Sequence, residues 1–320
     1  MKIKALNVKY LPLYVALAAL AAALIAWPER YVQTCFEGIA LWAKCVAPAL
    51  FPFMIIALLL IKTGGTAAAA RPLRRVCRAL NLPAAGAVIF VISIFSGYPA
   101  GSRVVYEYCD RGMITKNDAN KLAPLCSTSG PLFLIGSVGQ NMLENKAHGA
   151  MLMTVHIASV LTVGLILCLF ERRKDSFRVP TALPTRSEEN ILYDTFYSAV
   201  TSVLVAGGFI CFFYTVARIA GDMNILYIFQ AALTPVFGED ARAACYGLIE
   251  ATGGCAQLAA GGGKYVLPLM GFLITFGGFS IIAQQLCYLL KCGVRPLKFI
   301  AVKAVQGALC FALLLPFAAI

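Results

Sequence analysis

The sequence predicts an all-α polytopic membrane protein: about seven transmembrane helices and two re-entrant helical hairpins, arranged as two inverted-topology repeats. Three observations carry this. Of the 320 residues, 60% are hydrophobic and 13% charged, about half the charged share of an ordinary soluble domain. Mean hydropathy is +0.79, an excess of apolar surface that a soluble chain cannot cover. Apolar runs also recur in the same order in the two halves of the chain. Composition excludes a disordered chain, a disulfide-stapled secreted domain and a coiled coil. The net charge of +12 fits the positive-inside bias of membrane proteins. No basic run is interleaved with aromatic residues, so nucleic acid is not an expected partner.

Residues 10–27 form an apolar run behind Lys2, Lys4 and Lys9. The run is long for a signal-peptide core, and Trp27-Pro28-Glu29-Arg30 is a poor cleavage site, so it reads as a retained first span. Residues 33–62 are a second span, interrupted by Pro48 and Pro52, and a basic loop with Arg71, Arg74, Arg75 and Arg78 follows. Residues 84–95 are apolar but too short to cross a bilayer. They stop at Phe95-Ser96-Gly97-Tyr98-Pro99-Ala100-Gly101-Ser102, and an amphipathic helix runs on to about Arg111. Two short helices around a Gly/Pro break read as a re-entrant hairpin, whose irregular backbone needs protein or a water-filled cavity around it.

Residues 116–141 carry a second break, Cys126-Ser127-Thr128-Ser129-Gly130-Pro131, and 147–170 are a plainer span. The polar stretch 171–190, with Arg172, Arg173, Lys174, Arg178 and Arg186, reads as a cytoplasmic linker. The chain therefore divides into an N-terminal helix (1–32), a first repeat (33–171), a linker (172–190) and a second repeat (191–320). The second repeat reads as 192–220, 224–237, 240–262, 264–288 and 299–320. Its first break, Glu250-Ala251-Thr252-Gly253-Gly254-Cys255, matches 96–101. Ala123-Pro124-Leu125 matches Leu267-Pro268-Leu269, Ser129-Gly130-Pro131 matches Phe276-Gly277-Gly278, and His156 falls opposite Lys303.

Each half holds an odd number of full spans after its hairpin is set aside, so the halves insert with opposite orientation. With the N-terminus inside, only Arg30, Lys44, Lys146, Arg218, Arg242 and Lys264 lie outside, leaving 21 of the 27 Lys and Arg residues inside. That is the split the positive-inside rule requires. Inverted repeats of this kind place a solute site near the midplane, between broken helices.

Four stretches carry a family resemblance: F-S-G-Y-P-A-G-S at 95–102, C-S-T-S-G-P-L-F-L-I-G at 126–136, G-L-I-E-A-T-G-G at 247–254 and F-G-G-F-S-I-I-A-Q at 276–284. In this order they resemble the sporulation integral membrane protein family, within the wider group that carries the nucleoside recognition or Gate domain. The resemblance implies a permease with two Gate repeats, distantly similar to concentrative nucleoside transporters. It also implies a bacterial cell-membrane or forespore-membrane location, and a role in moving dipicolinic acid during endospore formation.

Candidate solute contacts cluster at the breaks. Ser96, Gly97, Tyr98 and Pro99 mark the first, where a half-helix N-terminus offers free N–H groups to an anion or acceptor. Ser127, Thr128, Ser129 and Gly130 mark the second, whose hydroxyls serve either a solute or helix packing. Glu250, with Thr252 and Gly253, is the only acid between Ala241 and Gly263. It reads as a proton or cation coupling group or a solute contact, or as a surface acid if the hairpin is shallow. Ser280 and Gln284 follow the last break, and Gln284 is the preferred contact there. His156 and Lys303 are candidate counter-charges or coupling groups. The alternatives are a packed imidazole for His156 and, for Lys303, a side chain that snorkels from nearer the inner face.

The twelve cysteines include no C-x-x-C pair and read as small apolar fillers, so neither a metal nor a cofactor is expected. The expected partners are the lipid bilayer, a small solute and a coupling proton or sodium ion. A solute permease is the leading expectation, with dipicolinate ahead of a nucleoside or other metabolite. An intramembrane hydrolase using Ser129 and His156 lacks the usual nucleophile context. A non-transporting scaffold lacks a domain for a partner to read.

Overall fold

In the computed structural model the described residues are 10–170 and 190–318, side chains at 67–71 and 74 excepted. The basic start at Lys2, Lys4 and Lys9 and the linker at 172–189 lie outside them. All described secondary structure is helical. The helices are α1 (Leu11–Ala26), α2 (Pro28–Leu41), α3 (Ala47–Lys62), α4 (Gly65–Ala79), α5 (Gly86–Ser96), α6 (Ala100–Asp110), α7 (Lys116–Leu125) and α8 (Lys146–Phe170). They continue as α9 (Ile191–Asp222), α10 (Tyr227–Phe237), α11 (Asp240–Ile249), α12 (Ala251–Gly261), α13 (Val266–Phe276), α14 (Gly278–Leu289) and α15 (Pro296–Leu314). Two π-helical stretches, Trp42–Val46 and Leu132–Met142, join α2 to α3 and continue α7 beyond its break.

Among the described residues five rods are long and apolar enough to cross a membrane: Pro28–Lys62, Lys146–Phe170, Ile191–Asp222, Val266–Cys292 and Pro296–Phe317. The shorter apolar α1 and the interrupted rod of α7 with 132–142 stand beside them among the described residues. Helices α5–α6 and α11–α12 are the two hairpins.

The order of elements repeats. The α2–α3 rod corresponds to α9, α4 to α10, the hairpin α5–α6 to α11–α12, the broken α7 rod to α13–α14, and α8 to α15. Contacts at the two ends support this arrangement. At one face Lys121 Nζ donates to Asn81 O (3.3 Å), and Asn120 links to Gly293 O and Arg295 N (3.1 and 3.0 Å). At the opposite face Arg30 of α2 pairs with Asp222 of α9 at 2.5 Å.

Three readings need correction. The basic loop at Arg71–Arg78 is helix α4, whose sequence is strongly amphipathic. A helix satisfies its own backbone groups at the bilayer surface, where a loop leaves them open. The second span begins at Pro28, not residue 33, because Pro is favoured in a first helical turn. Pro124 and Pro268 do not correspond: Pro124 stands near the end of α7, whereas Pro268 lies in the first turn of α13.

Burial runs inward from lipid. Helix α1 buries only Ala23. The broken rod Val266–Cys292 has 83% of its apolar window buried, against 33–39% for the other four rods. It is the central column. One apolar cluster packs the first hairpin, around Ile89, Val105 and Leu122, and another packs the second, around Leu258, Met270 and Leu314. All twelve cysteines are free.

Candidate functional site

The four breaks are local consequences of sequence. Helix α5 ends at Gly97, which adopts φ +68°, ψ −174°, a conformation that an L side chain resists. A Cβ there would meet Gly130 N at 2.9 Å, so the first two breaks touch backbone to backbone. Gly101, the second residue of α6, lies so close to Cys126 O that no Cβ fits. The third break is the extended residue Glu250, and the fourth is the left-handed pair Gly277–Gly278.

Three of these breaks meet around one small cleft of about 30 Å³. Gly97 and Tyr98 line it from the first break, Ser129 and Gly130 from the second, and Thr252 from the third. Gln284 lines it from α14, beyond the fourth. Val46, Leu50 and Ile210 close its sides, from the α2–α3 rod and its counterpart α9.

A broken helix frees backbone groups, and inside a membrane those groups need partners. Here the partners come mostly from the other repeat. The Tyr98 hydroxyl donates to Ile274 O, at the end of α13. Lys303 Nζ donates to Ser127 O at 2.8 Å, and Gln306 Nε2 to Pro124 O at 3.1 Å. His156 Nε2 accepts the Ser129 backbone N–H at 3.0 Å, while Nδ1 lies 2.9 Å from Thr275 Oγ1. A backbone N–H can only donate, so Nε2 is unprotonated, the ring is neutral and Nδ1 carries the hydrogen toward Thr275.

Glu250 is fully buried, not a surface acid. The hairpin tip reaches the interior, where the carboxylate caps α12 by accepting from Thr252 N (3.2 Å) and Gly253 N (2.6 Å). Lys303 does not snorkel. It is fully buried, because Ser127 O offers a closer partner than the membrane surface does.

The structure therefore sorts the candidates. Gly97, Tyr98, Ser129, Gly130, Thr252 and Gln284 line the cleft. Ser96, Pro99 and Gly253 are buried beside it. Ser280 accepts from Gln284 Nε2 at 3.3 Å and so orients that amide. Ser127, Thr128, His156 and Lys303 form a buried polar layer that does not reach the cleft wall. Within that layer the hydroxyls of Ser127 and Thr128 have no hydrogen-bond partner among the described residues. Sequence reading missed Thr275, Gln306 and the Ser102–Gln285 bond (2.9 Å) that ties α6 to α14. Gln306, an amide one helical turn from Lys303 in an apolar span, was the available signal. Among the described residues no three His, Cys, Asp or Glu side chains gather as metal ligands.

Crossing helices whose breaks gather in the interior define an all-α polytopic membrane protein of the broken-helix kind, an architecture that builds solute sites in carriers. The chain is similar to the sporulation integral membrane protein YlbJ of Bacillus subtilis (strain 168). The two are 25% identical over 317 residues, covering 90% of this chain and 78% of that relative. The similarity upholds the resemblance to the sporulation integral membrane protein family drawn from the motifs. No family model matches the chain, and no solved structure does.

Proposed function

We propose that this chain is a permease for a small polar or anionic solute, and that the solute is dipicolinic acid moved during endospore formation. The convergence of three helix breaks on one cleft, joined by α14 beyond the fourth, carries the reading. Irregular backbone at membrane depth is tolerated inside protein or beside a water-filled cavity, and in carriers such breaks gather at the solute site. The relative's description as a sporulation protein supports the setting. In this reading the N-terminus is cytoplasmic and the location is the cell or forespore membrane.

The chemistry suits a carboxylate. The Gln284 amide and the Ser129 hydroxyl line the cleft as donors. The Lys303 ammonium and the unpartnered Ser127 and Thr128 hydroxyls lie one layer behind. A cleft of about 30 Å³ holds about one water, so admitting a planar dicarboxylate requires the breaks to part. Coupling to a proton or sodium ion belongs to this proposal, with Glu250 and Lys303 as the buried charges at hand. Hydrolysis is disfavoured, because His156 engages the Ser129 backbone and its other nitrogen faces Thr275.

The test is uptake of labelled dipicolinate into proteoliposomes, with the wild-type chain and Gln284→Ala compared. Saturable uptake, reduced by the substitution and not displaced by excess nucleoside, supports the reading. Uptake no greater than that of empty liposomes under proton and sodium gradients removes dipicolinate. Nucleoside uptake in its place selects the alternative solute.

A further inference from the structure

A second, larger cavity of about 740 Å³ opens at the face where α9 ends, between α9, α10, α11 and α12. Its wall mixes apolar residues with Arg218, Arg242, Asp222 and Glu239. These charges balance, which suits a hydrated polar solute without fixing its sign. Asp222 is already paired, with Arg30 at 2.5 Å and Arg218 at 3.8 Å.

Two helices lead from this vestibule toward the cleft by residues four apart, each step about 6 Å along a helix, and α12 runs beside them. On α9, Ile210 lines the cleft, Tyr214 follows, and Arg218 and Asp222 line the vestibule. On α11, Arg242 lines the vestibule, Tyr246 follows, and Glu250 caps α12. On α12, Thr252 lines the cleft, Gly253 lies beside it, and Gln257 and Gly261 line the vestibule. Tyr214 and Tyr246 stand at the middle step of α9 and α11, and Gly253 of α12 packs against both rings. The two rings cross edge to face, with centroids 5.5 Å apart, and the Tyr246 hydroxyl donates to Tyr214 O at 3.0 Å. A Cβ on Gly253 would sit 2.9 Å from the Tyr214 ring and 3.0 Å from that of Tyr246. The rings thus close directly on the bare backbone of the α12 N-terminus.

We propose that Tyr214 and Tyr246 are a gate between this vestibule and the midplane cleft, on the solute's route to one face of the membrane. The proposal rests on the permease reading for its cargo. The route itself is read from geometry. Gly253 lets the rings seat flush, and the Tyr246 hydroxyl is the latch. The Tyr214 hydroxyl, 3.4 Å from Glu37 Oε2 at the exposed edge, is a weaker second hold.

The test is thiol reactivity of the full chain in lipid nanodiscs, read position by position by peptide mass spectrometry so that the native cysteines stay in place. Gln257→Cys reports the vestibule and Thr252→Cys the cleft. With both tyrosines present, position 257 reacts and position 252 is protected by roughly tenfold. Adding Tyr214→Ala and Tyr246→Ala removes that protection. Tyr246→Phe, which keeps the ring and loses only the latch, removes part of it and guards against a variant that fails to fold. Equal reactivity at 252 and 257 with the tyrosines intact overturns the gate. Position 252 still protected without the rings overturns the route. If labelling follows the tyrosines while no solute is taken up, the gate stands and the permease reading falls.

Discussion

His156 Nε2 accepts the backbone N–H of Ser129 while its Nδ1–H faces Thr275, so one neutral ring joins a break in the first repeat to a break in the second. The same pattern recurs at Lys303 with Ser127 O and at Tyr98 with Ile274 O. Each half of the molecule supplies donors for backbone groups freed in the other. Neither broken rod is satisfied alone, so the repeats are mutually required for stability as well as for the cleft.

Replacing His156 with alanine is expected to orphan two buried polar groups, each worth ~1–3 kcal/mol. The expected outcome is a clear fall in melting temperature in detergent together with lost uptake. Unchanged melting would remove the cross-repeat clamp.

Tyr98→Phe keeps the ring and deletes the donor to Ile274 O. The expected loss is about 1–3 kcal/mol, one orphaned buried acceptor. Folding is expected to survive, with uptake reduced and the Thr275 end of α13 exchanging its amides faster. Hydrogen exchange measured along α13 checks this.

Glu250→Gln retains one acceptor where two N–H groups converge, and Glu250→Ala retains none. Loss of a helix N-cap is worth about 0.5–2 kcal/mol. Melting is therefore expected to fall in the order wild type, Gln, Ala. In uptake, Glu250→Gln separates capping from coupling. A loss matched by the melting shift assigns capping alone, and a loss of roughly tenfold beyond it assigns coupling.

Gly101→Ala and Gly136→Ala form a matched pair. A Cβ at 101 collides with Cys126 O and the Ser93 side chain, whereas at 136 nothing lies within 4 Å. Gly101→Ala is expected to abolish a monodisperse peak on size exclusion, with Gly136→Ala behaving as wild type. The reverse result would dispute the packing of α6 against the second break.

Much of the architecture was legible in the residues. Apolar run lengths located the crossings, and Gly/Pro interruptions at 97–99 and 126–131 located two breaks. The echo at Glu250 and Gly277 located the others. Five of the named break residues line the cleft, with Gln284 beyond the last break. Helix α4 was misread because its arginines resemble a loop until their one-sided spacing is drawn on a helix. Thr275 and Gln306 were missed because a single polar side chain in an apolar run carries no sign of what it will face.

The sequence alone determined that the chain is a membrane-embedded helical bundle, that it is doubled, and where its helices break. Those features follow from transfer energies and backbone restrictions, which act locally. Only the tertiary structure decided that Glu250 is a buried cap, that Lys303 stays inside, and that Tyr214 and Tyr246 stand between vestibule and cleft. Each of those outcomes depends on a partner brought near from distant sequence. In a low-dielectric interior, it is the partner that decides whether a polar group stays buried and what it does there.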